Sequence, residues 1–310
     1  MVTVRQRSRR PAGRRVAAAA VGLLLLAGCG GQVGAAAVVG AGSVSSASIE
    51  AQRSALTSAT TPSSGAGELL SADRATQAGQ VAQDRTLVTY AIWHEQLRQA
   101  GTPVPLTEAE INSILADTAT TDQITQLLLA TPDTLRDRLT DTATLQRMVS
   151  DAVTAGTPVS GPSVDYELIN VDSLEIALAA RSRYTADPGS WATDLAAAGS
   201  DRGSSGSASA AGPGAALIPT GVYSAGVGDF IVVPAGNSTA TIVRITAHSM
   251  SSAPLDVSTL QQAGPAVVNA IGAMLLNQTT GAAVPPVEVN PRFGVWDPAV
   301  AQVVPAPAQL

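Results

Sequence analysis

Residues 265–276 read PAVVNAIGAMLL, and the partner of this stretch decides the fold. Proline suits the first turn of a helix, because the N–H it lacks is one that the helix leaves unbonded there. Val267, Val268, Ile271, Met274, Leu275 and Leu276 then recur at helical spacing. A helix over 255–276 follows, with an apolar face that must be buried against other elements. Two partners are on offer: helices early in the chain, or an α+β unit in its middle.

The early helices come first. QVAQDRTLVTYAIWHEQLRQA predicts a helix over 79–100, ended by Gly101 and Pro103. Thr107 and Glu110 have the spacing of a capping box, in which each side chain bonds the other's backbone N–H. Ile111, Ile114 and Leu115 form the inner face after it. A further helix is expected around Ile124 and Leu127 to Leu129. Another opens near Pro132, with Leu135, Leu139, Leu145, Met148 and Val149 turned inward. Before them, VVGAGSVS from Val38 predicts a short strand or hairpin, and Ser45 or Ser46 caps a helix with Ile49 in its first turns.

The pattern changes at Gly156–Pro162, GTPVSGP, which reads as a linker. Val164–Val171 predicts a strand, Ser173 a helix cap, and Trp191 with Leu195 a second helical piece. Residues 199–215, rich in Gly and Ser, read as a mobile loop. Strands over 228–233 and 241–245 complete the unit. The tail VPPVEVNPRFGVWDP adds a short strand, Val287 to Val289, then Phe293 and Trp296. The fold class is α+β. Helices over 38–155, an α+β unit over 163–250 and a C-terminal helix and tail over 255–310 are the expected parts.

At the start of the chain, residues 1–15 carry six arginines and no acid, and residues 16–27 are apolar or small. A basic region followed by an apolar run too short to span a bilayer is a secretory signal. It ends Leu26-Ala27-Gly28-Cys29, which resembles the lipobox of bacterial lipoproteins. That resemblance implies cleavage before Cys29, lipid on its thiol, and a tether over 29–37. Cys29 is the only cysteine, so no intramolecular disulfide forms. Without the first 28 residues, 12 arginines face 24 acids, a net charge of −12. Such a surface repels nucleic acid, which is excluded as a partner.

The order of helical region, α+β unit and returning helix resembles the SurA-type extracytoplasmic chaperones, here of an actinobacterial lipoprotein type. VVGAGSVSSASIEAQ looks like that family's opening and VEVNPRFGVWDP like its end. In the family the last helix completes the helical chaperone domain. Packing of residues 266–276 on helices 79–100 and 124–149 would therefore agree with the resemblance, and packing on the α+β unit would not. The middle unit resembles a parvulin-type peptidyl-prolyl isomerase domain, degenerate in this chain. Trp191, Leu195, Ser200 and Asp201 stand where that family has an aromatic, a Leu, and a Ser followed by an acid. Where active parvulins have histidines, Tyr166 and Glu167 occupy the first strand and Thr241 the last, with His94 and His248 outside both positions. The resemblance implies a lipid-anchored protein on the outer face of the cell membrane. Its partners would be unfolded or newly exported polypeptides, bound without ATP and without any cofactor. An active isomerase and an assembly lipoprotein with one envelope partner are the alternatives.

No other chemistry stands out. His94 beside Glu95 reads as a half-exposed helix residue, and Asp137 and Asp141 as a solvated pair. Glu108 and Glu110 suit a helix N-terminus. No nucleophile elbow, phosphate loop or dinucleotide fingerprint is present. Neither catalytic nor metal-ligating residues are assigned.

Overall fold

The computed structural model describes residues 34–58, 77–117, 121–122, 124–125, 128–234, 239–255, 260, 264–280 and 285–306. Leu26, Ala27, Gly28 and Cys29 lie outside the described residues. The fold is α+β: helices surround one main core, and an antiparallel sheet carries a second, smaller one.

The first strand, β1 (Ala35–Val39), turns at Gly40 into β2 (Gly42–Ser45). Gly40 has φ +55°, and a side chain there would meet Gln99 and the Pro285 ring. Ala35, Ala36 and Ala37 are buried strand residues, so the tether expected over 29–37 ends before them. Alanine has little intrinsic strand preference; here close packing decides, because the small side chains let β1 lie directly against the helices. Helix α1 (Ser46–Ser58) follows, then α2 (Gln77–Ala100), which buries Leu87, Val88, Ile92, Trp93 and Leu97. Helix α3 (Glu108–Ala116) carries the expected capping box: the Glu110 N–H donates to Thr107 Oγ1, and the Thr107 N–H donates to Glu110 Oε2 at 2.7 Å. Of the helix expected around Ile124 and Leu127 to Leu129, Ile124 is helical, Leu127 lies outside the described residues, and Leu128 and Leu129 sit in a turn, with Leu129 at φ +48°. Helix α4 (Leu135–Ala155) ends at Gly156 in the left-handed conformation.

The stretch expected as a linker is a strand. Strand β3 runs from Pro158 to Val171, 14 residues, and pairs with β6 (Ala240–Pro254) along its length. Its prolines argue against a strand, since a proline cannot donate to a ladder. Their positions remove the difficulty. The Ala210 N–H donates to Pro162 O, so residue 162 turns its backbone away from β6. Ser160, two residues earlier, does the same, and its N–H and C=O are bonded by the Gln278 side chain. Pro158 shares that parity, so neither proline removes a bond from the β6 ladder.

After β3 come α5 (Leu174–Ala186), capped as expected by Ser173, and α6 (Ser190–Arg202). The Gly- and Ser-rich stretch expected as a mobile loop is also ordered. It holds the end of α6, strand β4 (Gly203–Ser209) and a 3-10 segment over 213–220, with a second 3-10 turn over 222–224. Strand β5 (Phe230–Pro234) completes a four-stranded antiparallel sheet of order β4-β3-β6-β5. On one face, Ile169, Phe230, Ala240 and Ile242 pack under α5 and α6 with Ala177, Tyr184 and Trp191. The other face, with Val164, Ile231, Val243 and Ile245, belongs to the main core.

Helix α7 spans Pro265–Thr280; before it Leu255 lies outside any helix and Leu260 is helical, while residues 256–259 and 261–263 of the expected helix lie outside the described residues. It packs chiefly along α4, and also on β3, the first 3-10 segment and α2. Ala270, Ile271, Ala273, Met274, Leu275 and Leu276 are all buried. A helix closed in all round takes both partners: it completes the helical core and seals the sheet to it. Strand β7 (Val287–Val289) then pairs with β1, Ala37 facing Val289 from the other end of the chain. A hairpin of β8 (Val295–Asp297) and β9 (Gln302–Val304) covers α2.

Candidate functional site

The residues expected in an isomerase-like site are placed by the sheet. Across one row, Glu167 of β3 pairs with Arg244 of β6, which pairs with Phe230 of β5. Glu167 Oε2 accepts from the Trp191 indole at 2.7 Å and from Arg244 at 3.4 Å, and the Arg244 guanidinium lies 6.0 Å from the Phe230 ring centroid. Trp191, Tyr184 and Phe230 contact one another with centroids 5.0–5.3 Å apart. Tyr184 donates from its hydroxyl to Asp194 at 2.9 Å, and desolvation with that bond raises its pKa. The cluster anchors α5 and α6 to the sheet. Its carboxylate is already bonded to an indole and a guanidinium, so it is not a free acid or base.

Tyr166 turns to the opposite face. It pairs with Ile245, whereas Thr241 pairs with Asn170 and donates to its side chain at 2.7 Å. Four residues of strand separate the two levels, roughly 13 Å at ~3.3 Å per residue, so Tyr166 and Thr241 share no site. Trp191 is fully buried and Leu195 packs beside it, while Ser200 and Asp201 are exposed beyond a kink at Gly199. The four do not converge on Tyr166. His248, expected after the last strand, is part of it: β6 continues to Pro254, and His248 pairs with Val164 and bonds the Ala225 carbonyl through Nε2.

A second polar cluster lies between α2 and α4. Asp141 is not a solvated partner of Asp137. It receives His94 Nδ1 at 3.0 Å, with only 14% of its side chain exposed. Beside it Arg138 is buried, its guanidinium 4.7 Å from the Tyr90 centroid; desolvation lowers its pKa to about 10, so it stays charged at neutral pH. Asn269 of α7 donates to Thr142 at 3.2 Å. Tyr90, Trp93, Arg138, Asp141 and Asn269 line a gap of about 10 Å³, room for no more than a water molecule and far too small for a substrate. Among the described residues, no group of three or more His, Cys, Asp or Glu could hold a metal ion.

The His94 bond has a pH consequence. Hydrogen bonding to Asp141 raises the His94 pKa above 6.5, against a smaller desolvation effect. The stabilisation is therefore fully present below the unfolded-state pKa and is lost as pH rises through the folded one. The melting temperature is expected to fall between about pH 6 and pH 8, and His94→Gln to flatten that slope. Scanning calorimetry of both chains checks it; equal slopes would remove the role of His94.

Sequence reasoning missed both clusters because their members are remote: His94 and Asp141 are 47 residues apart, Glu167 and Arg244 are 77. One signal was available. The chain has 3 Trp, 4 Tyr and 2 Phe, and scarce aromatics in one unit mark its core.

No family model matches the chain, and no curated protein matches it. Among solved structures it is similar to foldase protein PrsA from Streptococcus pneumoniae, with 12% identity and a TM-score of 0.24, over 67% of this chain and 85% of that one. It is also similar to a Campylobacter jejuni structure described with the virulence factor PEB4 and the periplasmic protein Cj1289, two structurally related SurA-like chaperones. That match has 11% identity and a TM-score of 0.23, over 83% of this chain and 99% of that one.

Proposed function

We propose that this chain is a chaperone-like protein of the outer face of the cell membrane, binding unfolded or newly exported polypeptides without ATP. One observation carries the reading: α7 packs chiefly along α4, so a helical core begun before residue 156 is completed after residue 264, with the sheet unit inserted between. That is the layout implied by the SurA-type resemblance. The order along the chain, a strand, two helices and later two paired strands, supports the parvulin-like part of it. Suppression of aggregation of a denatured client, without nucleotide, is the expected result. No suppression, together with no peptide binding at about tens of micromolar, would overturn the reading. A proline-peptide assay is expected to show no rate above background, because Tyr166 and Thr241 do not converge.

The membrane location rests on Leu26-Ala27-Gly28-Cys29. Among the described residues no helix is long and apolar enough to cross a membrane. Cys29→Ser is expected to move the chain from the membrane fraction to the soluble fraction and to abolish labelling by a fatty-acid analogue. Retention of the label by the variant would sink the anchor.

A further inference from the structure

The unclaimed feature is the outer edge of β4. Among the described residues, strand β4 is the last strand of its sheet, paired only with β3. The direction of its backbone groups follows from three bonds. The Ala210 N–H donates inward to Pro162 O. The Gly203 N–H donates to Gly199 O, and Ser209 O accepts from Gly212, both away from β3. Because the antiparallel ladder alternates, residues 204, 206 and 208 bond β3, and residues 203, 205, 207 and 209 point outward. The ends are covered: Leu195 lies over Gly203, and the 3-10 segment over Ala208 and Ser209. Between them, the Gly203 C=O and the N–H and C=O of both Ser205 and Ser207 face outward, in a stretch where Ser204, Ser205 and Ser207 are exposed.

Natural sheets blunt free edges with charge, proline, bulges, short strands or a cover. Several other edges among the described strands carry such a device. Strand β2 has four residues and lies against Glu95; β7 has three and follows Pro285 and Pro286; β5 packs against α5 and ends in Pro234. Beyond β5, the exposed edge of β6 is tied by His248 to Ala225 and ends in Pro254. The sequence of β4, GSSGSAS, has seven residues with no charge and no proline, and between its covered ends Ser204, Ser205 and Ser207 are exposed. Gly206 adds a shape feature: a side chain there would come within 3.0 Å of the Tyr166 hydroxyl, so the Tyr166 ring reaches from β3 over β4 toward this edge.

We infer that the outer edge of β4 binds an extended polypeptide segment by strand addition, with Gly203, Ser205 and Ser207 supplying the backbone bonds. The inference rests on the chaperone reading and gives its site and mode of recognition. Backbone pairing is indifferent to client sequence, apart from excluding proline where an N–H is needed. A residue of the added strand opposite Gly206 lies on the Tyr166 face, where an apolar side chain covers the ring. A second copy of this chain is the weaker occupant. Four to five open residues with Ser and Gly side chains fall far short of the roughly 1,200 Å² that stable interfaces bury.

The test uses the full chain and a blocked peptide of alternating Thr and Val. Amide exchange followed by NMR is expected to slow at Ser205 and Ser207 on adding peptide, while Ser204 and Gly206 are already slow. Fluorescence anisotropy is expected to give a Kd on the order of 100 μM, at least ~10-fold weaker for Ser205→Pro and unchanged for Ser205→Ala. Proline at 205 removes an outward N–H and leaves the β3 ladder intact. N-methylation of alternate peptide amides is expected to abolish binding for one parity and spare it for the other. Unchanged exchange at Ser205 and Ser207 in millimolar peptide, or wild-type affinity in Ser205→Pro, would overturn the inference. So would self-association abolished by Ser205→Pro, which would make a second copy the occupant. Client protection that survives while the edge fails would leave the chaperone reading standing and remove the strand site. Slowed exchange at the edge without any client protection would keep the strand site and remove the chaperone reading.

Discussion

A chain ending after Pro286 is expected to lose its cooperative thermal transition. The missing tail buries Phe293, Val300, Val303 and Val304. At ~1.5–3 kcal/mol per buried large apolar side chain, those four alone are worth on the order of 6 kcal/mol, comparable with the whole stability of a domain. Polar losses add to this. The Trp93 indole donates to Ala301 O at 2.6 Å, and the Val303 N–H donates to Thr89 Oγ1 at 3.0 Å. Removing the tail leaves both α2 groups facing a vacated core. β1 also loses its pairing with β7. Circular dichroism against temperature reads the outcome, and a peptide covering 287–306, added in trans, is expected to restore part of the transition. A truncated chain melting within a few degrees of the intact one would show that the tail merely decorates the helices.

Gly272→Val is expected to cost about 3 kcal/mol or more, with a melting temperature lower by about 10 °C. Helices α7 and α4 cross here. A Cβ at 272 would lie 2.6 Å from the Leu145 carbonyl oxygen and 2.8 Å from the Leu145 Cβ. Backbone cannot swing aside as a flexible side chain does, so the helices must separate along the contact that joins the two parts of the fold. Gly156→Ala makes a useful comparison: it sits at a left-handed helix end with open space around it and is strained only by its own φ of +62°. Urea denaturation of the two variants separates a packing cost from a local conformational one. Equal stability of Gly272→Val and the parent would refute the close crossing.

What the sequence disclosed follows the range of the forces involved. The capping box at Thr107 and the Ser173 cap depend on neighbours a few residues away, and each stands where expected; strand 287–289 does too, although its pairing partner is β1. So does the helix over 79–100, whose apolar period is long. Strand β4 was not legible: Gly and Ser carry no strand preference, and only pairing with β3 orders them. The start of β3 was hidden by prolines that are harmless because of the direction in which their nitrogens point. The partner of α7 was open to two readings, and the structure takes both. The candidate edge depends on strand order and ladder parity, neither of which a single strand's residues encode.

The pairing of β1 with β7 also bears on how the chain reaches this state. Ala37 and Val289 are neighbours in the sheet, so β1 has no complete sheet until about 250 residues after it have been made. At roughly 5–20 residues per second of synthesis, that is a wait of about 12–50 s. Contacts so distant in sequence make folding slow, because the loop between them must close before either strand is rewarded. Until then the edge of β1 that β7 covers stays open. On the proposed reading, a binder of unfinished chains would itself spend its first tens of seconds as one.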